Sequence, residues 1–189
     1  IATTSGRLAW SLGYADGEQA PLADVLAAVA RITRVVDLPV TVDIETGYGD
    51  TADAVAATVR AVIEAGAVGI NIEDGAPGHG PMRPTDEAAA RVRAARAAAD
   101  ACGVPIVINA RVDHWMQSDN LAAEARLDDA IHRATAYLAA GADVIYPLGL
   151  DDRATLAALV QALDAPVNVA AGAGMPDMAE LAELGIARV

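Results

Sequence analysis

Four stretches of the chain repeat one pattern: "EAGAVGINIED", "ACGVPIVINAR", "AAGADVIYPLG" and "ELGIARV" each run from an alanine-rich segment through glycine into a β-branched run. This order predicts helix, glycine stop and buried strand. Apolar residues recur at helical spacing, with polar residues between them, over about 21–36, 51–65, 85–102, 121–140, 151–162 and 176–184, which predicts six amphipathic helices. Strands are predicted near 39–45, 68–73, 105–111, 143–147 and 166–170, with "IATTSG" and "IARV" as partial strands at the two ends.

Each predicted strand is followed by a helix, and short connections in strict alternation imply parallel pairing. About seven such units without a glycine-rich dinucleotide fingerprint favour a (β/α)8 TIM barrel within the α/β class over a doubly wound sheet. Such barrels typically need about 250 residues. The 189 residues begin and stop in mid-strand, so the expectation is one barrel domain over 1–189, incomplete at both ends. At least one strand and a final helix would lie outside it.

Composition narrows the class. The chain is 54% hydrophobic with mean hydropathy +0.31, enough for a substantial core. No run approaches the roughly 18 apolar residues of a membrane span, and no basic segment precedes an apolar one at the start, so the expectation is a cytoplasmic protein without a membrane partner. The formal charge is −13 and the pI about 4.4, which disfavours nucleic acid, whose phosphates require a basic surface. All thirteen basic residues are arginine, so Schiff-base chemistry on a lysine is excluded for this stretch. The single Cys102 reads as a small residue near a helix end.

In barrels the chemistry sits at the carboxyl ends of the strands, and alternation by two decides which residues share a face. Asp43 and Glu45 share one in "VDIE", as do Asn71 and Glu73 in "INIED", and Asn109, Arg111 and Asp113 in "INARVD". Carboxylates converging there repel and lose hydration unless a cation compensates them. All-oxygen donors without Cys or His at matching spacing suit Mg²⁺, and Mn²⁺ nearly as well. Asp43, Glu45 and Glu73 are therefore the metal candidates, while Asp74 and Asp113 are equally well read as rim residues. Arg111 is either a fork for a carboxylate or phosphonate, or a structural partner of Glu73 or Asp43. Backbone N–H groups in "TTSGRL" can receive a carboxylate, or the stretch is only a turn.

These pieces, in this order, resemble the isocitrate lyase/phosphoenolpyruvate mutase superfamily: "TTSG", "SLGYADGE", "DIETGYGD", "GINIEDG", "INARVD", "GADVIYPLGL" and "PVNVAAGAGMPDMAELAELGIARV". The resemblance implies a (β/α)8 barrel, a homotetramer exchanging a C-terminal helix, and Mg²⁺ holding a small 2-oxo or 2-hydroxy carboxylate or a phosphonate. It implies that Asp43 is the direct metal ligand and that Glu45 and Glu73 hold metal-bound waters. Ser5 and Gly6 resemble the loop that receives the substrate carboxylate, Arg111 the arginine on the substrate's anionic group, and Asp16 an acid at the rim. Asn109 is a further substrate-binding candidate beside Arg111. Tyr48 is a candidate proton donor or acceptor.

The chain departs from the family at one loop. Isocitrate and methylisocitrate lyases carry "KKCGH", with a cysteine proton donor, where this chain has "EDGAPGHGPMRP". The longer lysine-bearing gate of phosphoenolpyruvate mutase is also absent. His79 in that loop is a candidate acid or base on closure, or an exposed loop histidine. His114 and Trp115 are expected at the mouth and His132 on a helix surface. Three readings compete: a Mg²⁺-dependent lyase acting on a C–C bond beside a pyruvate or glyoxylate enolate, oxaloacetate decarboxylation included; a P–C bond enzyme; and a barrel that binds metal and dicarboxylate without turnover.

Overall fold

The computed structural model describes residues 1–78, 80–117, 121–172 and 174–189. Four strands, β1 (Thr41–Asp43), β2 (Gly69–Ile72), β3 (Val107–Val112) and β4 (Val144–Pro147), form one parallel sheet in sequence order. Isolated parallel bridges continue it on both sides: Ala2 pairs with Thr41, Val167 with Ile145, and Asn168 with Arg188. Seven parallel stations result, as the pattern predicts. Arg188, at the last, reaches back to Thr41 Oγ1 beside the first across 3.3 Å.

Among the described residues seven α-helices accompany the sheet: α1 (Ser5–Ser11), α2 (Leu22–Val35), α3 (Ala52–Glu64), α4 (Thr85–Cys102), α5 (Ala123–Ala139), α6 (Arg153–Ala162) and α7 (Met178–Glu183). Six match the predicted helices to within two residues at each end, the usual spread of fraying termini. Their starts are explained locally. Thr51 and Asp152 accept the N–H of Ala54 and Thr155 at 3.2 and 2.8 Å, and Asp177 with Glu180 forms a capping box. At the end of α4, Gly103 takes φ 68°, a left-handed cap for which glycine has no steric penalty.

Outward strand residues Val42, Ile70, Ile72, Ile108, Ala110, Val112 and Ile145 form the core with buried helix residues such as Val29, Val59, Ala95 and Leu156. The opposite face is free for chemistry.

Three expectations need correction. The stretch after "TT" is not a strand end but helix α1. The strand predicted over 166–170 pairs only through the Val167 and Asn168 bridges. Strand β1 stops at Asp43, because Glu45, Gly47 and Tyr48 adopt φ of 51°, 108° and 54° and turn the chain out of extended conformation. Among the described residues no helix is long and apolar enough to cross a membrane.

Candidate active site

Parallel register places Asp43, Asn71 and Asn109 in one row across the inner face. One row nearer the carboxyl ends, Arg111 pairs with Tyr146, and Glu73 follows Ile72, the partner of Ala110. A cleft of about 470 Å³ opens on these rows, lined by Asp43, Asn71, Glu73, Arg111 and Tyr146 from the strands. Ser5, Gly6, Arg7 and Trp10 of α1, with Asp16 beyond it, form the facing wall.

Charge in the cleft is unbalanced. Arg111 is 5% exposed and its Nε and Nη2 donate to the two carboxylate oxygens of Asp113 at 3.0 and 2.9 Å, while Nη1 donates to Glu73. Burial pulls its pKa down, but Asp113, Glu73 and Asp43 outweigh that and hold it above the ordinary value. The ion-pair reading of Arg111 is therefore realised with Glu73 and Asp113, and the guanidinium still lines the cleft. Asp43, 8% exposed, accepts the N–H groups of Ser5 and Glu45, at 3.2 and 3.1 Å. Burial raises its pKa, and burial likewise raises Glu45 and lifts Glu73 to about 8, in spite of Arg111 beside Glu73. Asp16 Oδ1 is buried without a hydrogen-bond partner among the described residues.

Arg111 and Arg7 thus face the more numerous carboxylates of Asp16, Asp43, Glu73 and Asp113, and this surplus fits a divalent cation. The donors are all oxygen, which suits Mg²⁺. Among the described residues no three Asp, Glu, His or Cys side chains stand close enough to enclose an ion by themselves, so Asp43, Glu45 and Glu73 are not brought together as a three-carboxylate cluster.

Glu45 enters the site differently from the expectation. Alternation along β1 does not govern it, because it lies beyond the strand in left-handed conformation. Its carboxylate is fixed by Glu18 N–H at 2.6 Å and by Tyr48 Oη at 3.2 Å. Burial first, then Glu45, raises the Tyr48 pKa, so the phenol is protonated at neutral pH. Ser5 and Gly6 belong to the first turn of α1 rather than to a strand-end loop; Ser5 N–H is spent on Asp43, and Gly6 packs so closely on Asp16 that a Cβ there would stand 3.0 Å from Oδ2.

Asn109 is fully buried and donates to Asn71 Oδ1 at 2.8 Å, so it supports the floor and does not line the cleft. Asp74 and Asp113 are buried too. Asp74 accepts Asp113 N–H at 3.0 Å and Tyr137 Oη at 2.7 Å, with Arg133 at 3.4 Å, a framework behind Arg111. His114 is turned away from the mouth onto Asp129 of α5, and Trp115 packs against Gly149. His132 is exposed and Cys102 lies at the exposed end of α4, as expected. His79 lies outside the described residues.

Arg7, Trp10 and Tyr146 were not singled out in the sequence, nor were Glu18 and Arg91. Tyr146 was within reach, since alternation in "VIYP" puts it on the face of Val144, level with Arg111. Arg91 also carried a signal: it stands on the apolar face of α4 among Ala88, Val92 and Ala95.

The family profile described as phosphoenolpyruvate phosphomutase matches residues 1–189. The 2-methylisocitrate lyase of Escherichia coli (strain K12) is 41% identical over 167 residues, covering 86% of this chain and 54% of that protein. An oxaloacetate decarboxylase of Rhodopseudomonas palustris (strain ATCC BAA-98 / CGA009) is 34% identical over 180 residues, covering 91% of this chain and 59% of that one. The chain thus spans little more than half the length of these relatives. Among solved structures, a candidate phosphonomutase from Burkholderia cenocepacia J2315 superposes with a TM-score of 0.94 at 47% identity, covering 99% of this chain and 74% of its own.

Proposed function

Because the chain belongs to the phosphoenolpyruvate mutase/isocitrate lyase superfamily and forms part of its (β/α)8 barrel, we propose that it is a Mg²⁺-dependent lyase that cleaves or forms a C–C bond beside a pyruvate or glyoxylate enolate. The substrate is a small 2-hydroxy or 2-oxo carboxylic acid. One observation carries this reading: the carboxylates of Asp43, Glu73 and Asp16 line a cleft in which Arg111 is already engaged by two acids, with Glu45 near enough to Asp16 and Asp43 to feel their charge. Bound Mg²⁺ would polarise the 2-oxo group and offset negative charge developing on the enolate. Asp43 would hold it directly, with Glu45 and Glu73 acting through water.

The chain's own residues supply the rest. Gly6 and Arg7, in the first turn of α1, line the cleft, and their backbone N–H groups are the donors proposed to receive a substrate carboxylate. Arg111, locked in orientation by Asp113, offers its charge to the anionic group without having to be ordered first. Tyr48, protonated and in contact with Glu45, is the proton donor available beside the metal candidates. A homotetramer and a cytoplasmic setting are parts of the same proposal.

A second reading, P–C bond chemistry on a phosphonate, is favoured by the 47% identity to the candidate phosphonomutase. The test of both is calorimetric titration of oxalate, a mimic of the pyruvate enolate, with and without Mg²⁺, followed by turnover assays on 2-hydroxy diacids, oxaloacetate and phosphonopyruvate. Mg²⁺-dependent binding with release of pyruvate or glyoxylate supports the lyase; turnover of phosphonopyruvate alone replaces it with the second reading. Binding without any turnover leaves a non-catalytic metal and dicarboxylate barrel.

A further inference from the structure

The turn that delivers Glu45 and Tyr48 is expensive in backbone terms. Two non-glycine residues with positive φ stand three positions apart, with Gly47 at φ 108° between them, and such non-glycine conformations persist only where their surroundings enforce them. Two groups supply that enforcement from opposite sides. From the loop before α2, Glu18 Oε1 accepts Thr46 Oγ1 at 2.7 Å and Tyr48 N–H at 3.0 Å. From α4, Arg91 Nη2 donates to Thr46 O at 2.5 Å and Gly49 O at 2.7 Å, bracketing the turn.

Arg91 is a costly residue to use this way. It is 2% exposed, and its Nε and Nη1 are buried without a hydrogen-bond partner among the described residues. Among the described residues no carboxylate forms an ion pair with it, unlike Arg111 or Arg133. Burying a guanidinium for two carbonyl bonds gains little stability by itself, because unsatisfied charged donors lose hydration. Its geometry has a different consequence: the two carbonyls it joins flank Gly47 and Tyr48, so they set the direction in which the turn leaves β1.

We propose that Arg91 is a positioning residue of the metal site: by tying Thr46 O to Gly49 O it holds the left-handed turn that points the Glu45 carboxylate and the Tyr48 hydroxyl toward Asp43. This rests on the reading of Asp43 and Glu45 as metal-binding residues. Arg91 itself touches neither substrate nor cation.

The test uses Arg91→Met, which retains bulk without donors, and Arg91→Lys, which restores a cation and donors at one point. Hydrogen–deuterium exchange on the metal-free protein is read first. In Arg91→Met, amides of residues 45–49 should exchange at least tenfold faster while β2, β3 and α3 keep their protection, and Arg91→Lys should recover part of the difference. Oxalate titration with Mg²⁺ is read second, where Arg91→Met should bind at least tenfold more weakly at an unchanged far-UV spectrum, with partial rescue by Arg91→Lys. Unchanged exchange at 45–49, or uniformly faster exchange throughout, overturns the positioning role. Selective loosening of the turn with unaltered Mg²⁺-dependent oxalate affinity overturns it as well. If the wild-type protein binds no oxalate, the functional reading falls and the link to the metal site with it, whereas the exchange result still decides whether Arg91 holds the turn.

Discussion

Binding of a divalent cation should expel a proton from Glu73. The side chain is 8% exposed, and burial, with Asp113, Asp43 and Glu45 close by, lifts its pKa to about 8 against the opposing pull of Arg111. A carboxyl with that value is about 90% protonated at pH 7 and about 10% at pH 9. Since a cation selects the ionised form, Mg²⁺ binding should release about 0.9 proton from Glu73 at pH 7 and about 0.1 at pH 9. Its apparent affinity should rise roughly tenfold over the same range, the equivalent of about 1.4 kcal/mol. The assay is calorimetric Mg²⁺ titration at pH 7 in buffers of different ionisation enthalpy, where the slope of heat against that enthalpy counts protons. Glu73→Gln should lower the count by nearly one. Saturable Mg²⁺ binding with a flat buffer dependence in the wild-type protein would refute the reasoning.

Other consequences are equally accessible. Without metal, Glu73 favours the folded state fully below its unfolded value of 4.5, and this contribution is lost as pH rises toward 8; thermal melts of the metal-free protein should therefore show Tm falling from pH 5.5 to 8, with Mg²⁺ raising Tm more at pH 8 than at pH 6. Asp43→Ala should abolish Mg²⁺-dependent oxalate binding with the far-UV spectrum retained, and persistent binding would show that the metal candidates are misassigned. Tyr137→Phe removes the 2.7 Å bond to buried Asp74 and should cost about 1–3 kcal/mol in urea unfolding; no change would mean Asp74 finds water instead. Gly17→Ala adds a Cβ 2.7 Å from Gly78 Cα at φ +87°, so its Tm should fall below that of the wild-type protein, and an unchanged Tm would show the two loops are not in firm contact.

Helix placement was legible because each amphipathic stripe is written locally and closed by a cap, as in α4 with Gly103 or α7 with Asp177. Short α1 was missed because seven residues carry two turns of pattern and Thr4 makes no side-chain cap bond. The candidate site was legible where strand alternation applies, as for Asp43, Asn71, Glu73 and Arg111, all of which line the cleft. It failed for Asn109, whose inward face is right but whose side chain is fully buried and spent on Asn71 Oδ1. Alternation also gave Glu45 for a reason that does not hold, since the turn and not the strand carries it.

Residue chemistry along the chain was enough to specify a parallel α/β sheet with acids at its carboxyl ends, because periodicity and glycine stops act over a few residues. Only the folded chain decided which acids are spent. Asp74 is consumed by Tyr137, Arg133 and the Asp113 backbone, and Asp113 by Arg111, whereas Asp43, Glu45 and Asp16 form no ion pair among the described residues. Those pairings join residues 18 to 45, 46 to 91 and 74 to 137. No local pattern encodes them, since they exist only when distant segments are packed and water is excluded.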